Sequence, residues 1–385
     1  MKTDVLVIGG GPAGVFSARE AAKYCDVTLV TCGRIFRPEK AEFVLPSEKY
    51  GSAEEILEKT LDAGFGYSYR ELVEHFCTVG YNLAKKDVLS GTDDYKALKN
   101  VCAMRLEYKK GRITGAYCFD MKDRKWFFIS ASSVVLAAGG FGRIFADSAT
   151  RDILYGDAIT MAYDVGAVLF DMEFIQFGSG TPRTLGGVLI NTCGGASDIN
   201  GLFACGEAAT GIHGAYALDD NFFTEAVVCG RIAGQNAAEY AKNAGDSINT
   251  ILESEDREAP FDVDKMCEDI RQAAVSGLSC PRCVDRLHPA LKITKEIADT
   301  AKKYPDSFDA VRIYNGAMAV YIALWAAYSR YHSAGCHIRS DNKLPARPND
   351  IHNHYAVKRF GDVMTGRIQN RRFTWKQILS QVFPK

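Results

Sequence analysis

The stretch VLVIGGGPAGVFSARE, Val5 to Glu20, constrains this chain more than any other feature. A continuous apolar run leads into glycines spaced G-x-G-x-x-G, and a small-residue helix follows. The run predicts a central parallel strand buried on both faces. Gly9 permits the tight turn, Gly11 lets the backbone approach a pyrophosphate, and Gly14 lets the helix pack close to its strand. Pro12 and Ala13 open the helix, whose free amides and dipole would face the phosphates. The spacing alone is a weak signal. The second strand, DVTLVT, ends in Thr31 and Cys32, where an acid would be needed to hold the ribose of NAD. NAD is therefore disfavoured.

Two later segments select the dinucleotide. SSVVLAAGGFGRIF, Ser132 to Phe145, predicts another apolar strand that ends at Ala138, Gly139 and Gly140. INGLFACGEAATG, Ile199 to Gly211, predicts a short strand closing on Gly206 and Glu207. The following segment, Asn221 to Ala241, predicts a helix with Asn221 as its N-cap and Phe222 and Phe223 in its first turn. A Rossmann unit, a late Gly-Glu strand and then a helix starting under the ligand describe an FAD site. Glu207 would accept a ribityl hydroxyl, and the helix N-terminus would support negative charge on the flavin.

Bulk properties exclude several classes. With 385 residues the chain can build a large core or two domains, and a net charge of -1 gives no pull toward nucleic acid or anionic membrane. The apolar stretch AMAVYIALWAAY, Ala317 to Tyr328, is shorter than the about 20 residues a span needs, which predicts a buried helix and no membrane span. The 12 cysteines are scattered and no leader precedes the first strand, so a reduced, cytoplasmic pool is expected.

Taken in order, these segments resemble the flavoprotein subunits of succinate dehydrogenase and fumarate reductase, with L-aspartate oxidase and adenylylsulfate reductase. GDAITMAYDVGAVLFDMEFIQF, Gly156 to Phe177, is similar to the stretch that follows the family's glycine-rich strand, and puts Asp157 on its FAD-contacting acid. YSRYHSAGCHIRSDNKLP, Tyr328 to Pro345, is similar to the motif that ends the family's helical domain. Thr31 suits the family's second strand. The resemblance implies non-covalent FAD, since no histidine lies in the loop just after that strand.

The departures from the family carry the functional expectation. Where relatives that handle dicarboxylates place a substrate histidine, a second histidine and an arginine, this chain has Gly178, Pro182 and Ala217. The capping domain that relatives insert has no room in residues 178–185. The resemblance thus implies a shortened member that acts on neither fumarate nor succinate. Arg183, His213, Tyr216 and Asp219 are the candidate catalytic groups near the expected flavin face. Asp219 and Asp220 would repel a dicarboxylate, or one of them simply caps the next helix.

The fold class expected is α/β: a Rossmann-like FAD-binding domain with an antiparallel meander over residues 1–242, plus a mostly helical C-terminal domain over 263–385. Residues 34–98 read as a helical insertion with Ser52 and Ser68 as N-caps, and Asn243 to Asp262 as a polar linker. Cys280 and Cys283 form a C-x-x-C without a second pair, more consistent with structural cysteines than with a metal site or a redox dithiol. HNH at His352 to His354 reads as a surface loop. His337 and Arg339 reach the active-site edge or serve structure. No metal is expected. The predicted activity is two-electron, hydride-type redox between flavin N5 and a small organic molecule. The alternatives are amine- or sulfur-centre flavin redox, or an electron-transfer subunit of a complex. Expected partners are a small-molecule substrate and a redox protein, in a homo-oligomer or a complex.

Overall fold

The computed structural model describes residues 1–37, 51–84, 93–146, 156–178, 180–196, 199–218, 221–244, 253–342, 351–359 and 361–368. The apolar run becomes β1 (Lys2–Ile8), followed by α1 (Pro12–Ala21) and β2 (Val27–Thr31). Val5, Leu6 and Val7 are wholly buried, as a strand covered on both faces requires. Next come α2 (Ala53–Ala63), α3 (Arg70–Ala84), β3 (Lys96–Lys99), and the meander β4 (Val101–Lys109), β5 (Arg112–Asp120) and β6 (Lys125–Leu136). The main sheet runs β3-β2-β1-β6-β5-β4. Its β3-β2-β1-β6 part is parallel, with Val7 paired to Leu29 and Val135, and β5 and β4 continue it antiparallel.

Beyond β6 lie α4 (Asp157–Asp164), β7 (Leu169–Phe170), β8 (Ile175–Gln176), β9 (Arg183–Thr184) and β10 (Gly187–Leu189). Then follow β11 (Leu202–Ala204), β12 (Ala209–Thr210) and α5 (Asn221–Asn243). Strand β11 joins the main sheet parallel to β6. The second half adds β13 (Glu253–Glu255), α6 (Val263–Leu278), α7 (Val284–Ala301), α8 (Phe308–Ser329), β14 (Asn353–Arg359) and β15 (Asp362–Ile368). The β14–β15 hairpin completes a second sheet, β12-β10-β7-β14-β15, so the end of the chain packs back onto its middle. Helix α8 is long and apolar enough to cross a membrane, yet 94% of its apolar window is buried inside the protein. It is a core helix, as the sequence suggested.

Helix α5 crosses α1 at backbone contact. A Cβ on Gly230 would lie 2.5 Å from the Ala13 carbonyl oxygen, and one on Gly234 would lie 2.2 Å from that of Ser17. These two glycines seat α5 against the helix that follows the glycine-rich turn, and so fix where its own N-terminus lies.

Several expectations need correction. Residues 34–98 are not purely a helical insertion, because β3 extends the parallel sheet beside β2. The polar linker contains β13, which pairs antiparallel with the start of β6. Both are short, polar edge strands held by backbone bonds, without the apolar alternation that marks a half-buried strand. Ser52 caps α2 in a full capping box with Glu55. Ser68 does not cap α3, which begins at Arg70, and its buried hydroxyl has no hydrogen-bond partner among the described residues. Asn221 is the first residue of α5 rather than its cap, and its amide donates to Thr60 Oγ1 at 2.9 Å. The HNH tripeptide is no surface loop: Asn353 and His354 are buried at the start of β14.

Candidate functional site

The C-terminal ends of β1, β2, β6 and β11 converge on one crevice, the place where open α/β sheets take their ligands. Gly9 has φ +122°, and a Cβ there would lie 2.2 Å from the Ala137 carbonyl oxygen. Gly14 is equally tight, 1.9 Å from the Gly9 carbonyl oxygen. Gly11 is different, since a Cβ there would meet nothing within 4 Å. Open space therefore faces the N-terminus of α1, whose N-cap Gly11 offers no side-chain acceptor and whose first turn holds Pro12 and no acid. Unpaired amides and a positive helix end facing open space fit the pyrophosphate of FAD.

The rest of the cradle closes around that turn. Gly206, at φ +62°, brings its loop to 2.8 Å of the Ala13 methyl, measured from an ideal Cβ. Thr31 borders Gly10 at 2.9 Å on the same measure, and its hydroxyl accepts from the Gly33 amide at 3.1 Å. Phe36 donates its amide to the Gly10 carbonyl at 2.7 Å, and its ring lies 5.6 Å from that of Phe223. Beyond Ala138, Gly139 takes φ +77° with open space above it, whereas Gly140 abuts Thr184 Oγ1.

Glu207 is already engaged. Its Oε1 accepts from the Thr184 amide at 2.9 Å and hydroxyl at 3.0 Å, while Oε2 lies 3.5 Å from Arg183 Nη1. Oε2 keeps acceptor capacity, and a charge-assisted bond from a ribityl hydroxyl there would be worth about 1.5–3 kcal/mol. Glu207→Ala is expected to raise the FAD dissociation constant about ten-fold to a hundred-fold by the same measure, read by flavin fluorescence titration.

Asp157 opens α4 and is buried, with Oδ1 accepting from Asn315 at 2.8 Å. Burial pushes its carboxyl up to about 6. The folded state then holds a proton that the unfolded chain releases near pH 4, so stability falls as pH rises through the interval between about 4 and 6. Asp157→Asn is expected to stabilise flavin-free protein at pH 8 by about 2–3 kcal/mol and to flatten that interval, as measured by urea unfolding across pH.

The flavin-side candidates fall into two groups. Arg183, about half exposed at 55%, lies over the Phe222 ring at 5.3 Å. The His213 ring lies 4.9 Å from Phe222, with Nε2 3.3 Å from Glu225 Oε2 on α5. The structure thus joins Arg183, Glu207, Phe222, His213 and Glu225 in one chain of contacts. His213 is buried, and its Nδ1 has no hydrogen-bond partner among the described residues. Tyr216 stands apart and exposed. Asp219 and Asp220 lie outside the described residues.

A third group went unseen in the sequence except for His337 and Arg339. Arg330, buried, forms ion pairs with Asp171 at 3.3 Å and with Glu173, and sits 4.7 Å over the rings of both Tyr67 and Phe174. Arg282 is wholly buried and donates to the Glu173 carbonyl and to His337 Nδ1, each at 2.6 Å. A guanidinium only donates, so His337 Nδ1 accepts and Nε2 carries the proton toward the Arg330 carbonyl at 3.1 Å. Burial and the neighbouring Arg282 and Arg330 charges hold this imidazole well below its usual pKa, hence neutral. Arg339 is likewise buried, bonded to Asp341 and the Ala327 carbonyl. His337 and Arg339 are therefore both engaged in buried hydrogen bonds that hold the fold. The signal was present in DMEFIQF, where two acids interrupt an apolar run.

Among the described residues no group of three or more His, Cys, Asp or Glu could hold a metal ion. Cys283 is the N-cap of α7, and its sulfur accepts from Arg286, which lowers its pKa. Cys280 donates to the Cys336 carbonyl at 3.1 Å.

Residues 87–179 and 177–222 match the family described as FAD binding domain. An FAD-dependent oxidoreductase of Methanocaldococcus jannaschii, itself uncharacterized, is 23% identical over 509 residues, covering 89% of this chain and 94% of that protein. Those 509 positions exceed the 385 residues of this chain, so the relative carries stretches with no counterpart here. L-aspartate oxidase 1 of Ralstonia nicotianae is 24% identical over 360 residues, covering 65% of this chain and 68% of its own. In fold, a FrdA variant of Escherichia coli quinol fumarate reductase matches with a TM-score of 0.80 at 16% identity, covering 98% of both chains. The chain is an FAD-dependent oxidoreductase with the fold of the succinate dehydrogenase and fumarate reductase flavoproteins, to which it is similar.

Proposed function

We propose that the enzyme performs two-electron redox on a small organic molecule other than fumarate or succinate. The observation that carries this reading is the hairpin β8–β9. Ile175 pairs with Thr184 and Gln176 with Arg183, so the chain turns back on itself where dicarboxylate-handling relatives are expected to insert a cap. Gln176 exchanges two hydrogen bonds with the backbone of Ala217, at 2.9 and 3.2 Å, and the Ala217 methyl is wholly buried. No arginine fits there. The cationic fork that would hold and polarise a dicarboxylate is therefore missing from this wall.

When bound, FAD supplies the hydride chemistry. The cradle of Gly9, Gly11, Gly14, Gly139, Gly206 and Glu207 holds and orients it. Arg183 offers an exposed cation beside the aromatic Phe222. Glu225 accepts from His213 Nε2, which leaves Nδ1 as the ring's acceptor atom.

The test is stopped-flow. FAD reduced with dithionite is mixed with excess fumarate without oxygen, and the expected result is no flavin reoxidation beyond the buffer control. Rapid reoxidation that Arg183→Ala eliminates would overturn the reading, because one arginine would then replace the missing set. A panel of small metabolites, screened by the same readout, identifies the substrate class.

Docking of a redox partner over the same face is a second reading. Phe177 and Tyr216 are exposed at 40% and 44%, and the Gln176–Ala217 bonds hold their neighbours together. The FrdA match also comes from a quinol fumarate reductase. Turnover by the isolated chain favours the enzyme that works alone; reduction only with a partner present favours the subunit.

A further inference from the structure

Arg183 is clamped at its backbone and open at its head. A Cβ on Gly142 would lie 1.8 Å from the Pro182 carbonyl oxygen, and one on Gly140 would lie 1.7 Å from Thr184 Oγ1. The loop after β6 thus packs at close contact against the residues on both sides of Arg183. Strand pairing opposite Gln176 fixes the same backbone from the other side. The side chain is nevertheless 55% exposed. Of its five N–H donors only one on Nη1 meets an acceptor among the described residues, Glu207 Oε2 at 3.5 Å, the outer limit of a hydrogen bond. The Nε–Nη2 edge, which can fork onto a carboxylate, is left open.

The acids nearby are already matched. Glu207 Oε1 takes both the amide and the hydroxyl of Thr184, and Glu225 is buried against His213. Neither is free to attract a cationic ligand. A group to hold a second anion is missing as well, because the Gln176 amide is spent in both directions on the Ala217 backbone. The guanidinium lies 5.3 Å over the Phe222 ring, and the chain neighbours of Gln176 and Ala217 are the exposed Phe177 and Tyr216. One open guanidinium edge above an aromatic floor suits one carboxylate on a ring-bearing, apolar body.

We propose that Arg183 selects a monocarboxylate with a flat apolar body, its Nε–Nη2 edge forking onto the carboxylate with Phe222 beneath. This names the substrate class of the redox reaction proposed above and rests on that reading. A dicarboxylate would bring a second charge that has no partner here and faces Glu207. An amine would bring a cation to a cation.

The oxidised, FAD-loaded protein is titrated with phenylacetate, phenylacetamide, acetate, succinate and 2-phenylethylamine, and binding is read from flavin difference absorbance and by calorimetry. Phenylacetate should bind most tightly. Phenylacetamide keeps the ring without the charge and should bind about ten-fold to a hundred-fold more weakly, the worth of one charge-assisted contact. Acetate, which keeps the charge without the ring, should also bind more weakly. Arg183→Gln should bring phenylacetate down to the level of its amide, and Arg183→Lys should recover only part, since an ammonium cannot fork. Phenylacetate binding no tighter than phenylacetamide, tighter binding of succinate or 2-phenylethylamine, no binding by any probe, or unchanged affinity in Arg183→Gln protein with full flavin would overturn the proposal. The wild-type ranking of the probes decides alone if a variant loses FAD. Reoxidation of the reduced flavin by an amine or a neutral alcohol would remove this proposal and leave the redox reading in place; reoxidation by no metabolite would remove the redox reading itself.

Discussion

Gly11→Val is expected to fold and to purify without FAD. The backbone at Gly11 is extended, φ −73° and ψ −179°, a conformation any residue adopts, and its Cβ would meet nothing within 4 Å. A valine there costs the helix about 1 kcal/mol as a poorer N-cap than glycine. Its methyls would fill the space that the pyrophosphate needs, so binding is lost while the fold persists. Gly14→Val makes the contrast, because its Cβ would sit 1.9 Å from the Gly9 carbonyl and break the turn itself. The measurements are flavin content on purification, FAD titration and thermal unfolding of the flavin-free chain. Gly11→Val protein with full flavin would show that the phosphates lie elsewhere.

The backbone contacts behind that contrast explain why the glycine-rich turn was legible in the sequence. Gly9 and Gly14 are required by backbone contacts that no other residue tolerates, so their spacing survives as a written signal. Gly206 before Glu207 works the same way, through its left-handed φ of +62° and its approach to Ala13. Apolar runs announced β1, β6 and α8 because burial on all sides demands uninterrupted apolar residues. Elsewhere the determinants are long-range and leave no local pattern. The edge strands β3 and β13 depend on a partner strand rather than on their own residues. Gly230 and Gly234 look like ordinary small helix residues until α1 is placed against them. Ser68 had a cap's composition, but the turn at Phe65 and Gly66, both with positive φ, moves the helix start past it. Arg330 and its acids read as a solvated cation and two strand residues until three distant segments bring them into one buried site.

Arg330→Leu should be the most destabilising single substitution in that buried cluster. Removal of one partner from a buried ion pair costs about 3–5 kcal/mol, because the remaining charge stays in a dry environment without compensation. Here two carboxylates would be stranded, Asp171 and the wholly buried Glu173, along with the aromatic faces of Tyr67 and Phe174. Urea unfolding should show a lower midpoint with little change in slope. The pH dependence separates lost charge from lost packing. Burial and the Glu173 charge already push Asp171 up to about 7 with Arg330 in place. A folded-state pKa raised above the unfolded value near 4 means that the native protein binds the extra proton, so stability falls as pH rises through the interval between about 4 and 7. Without Arg330 the Asp171 carboxyl should rise further, and that interval should extend to higher pH. The cost of Arg330→Leu should therefore be largest near pH 8 and distinctly smaller at pH 5, where a proton on Asp171 replaces the missing cation. Arg330→Lys should recover part of the loss, since an ammonium restores charge but can neither fork between two carboxylates nor stack between two rings. An equal cost at pH 5 and pH 8 would mean that packing of the guanidinium against Tyr67 and Phe174, rather than charge, holds this part of the fold.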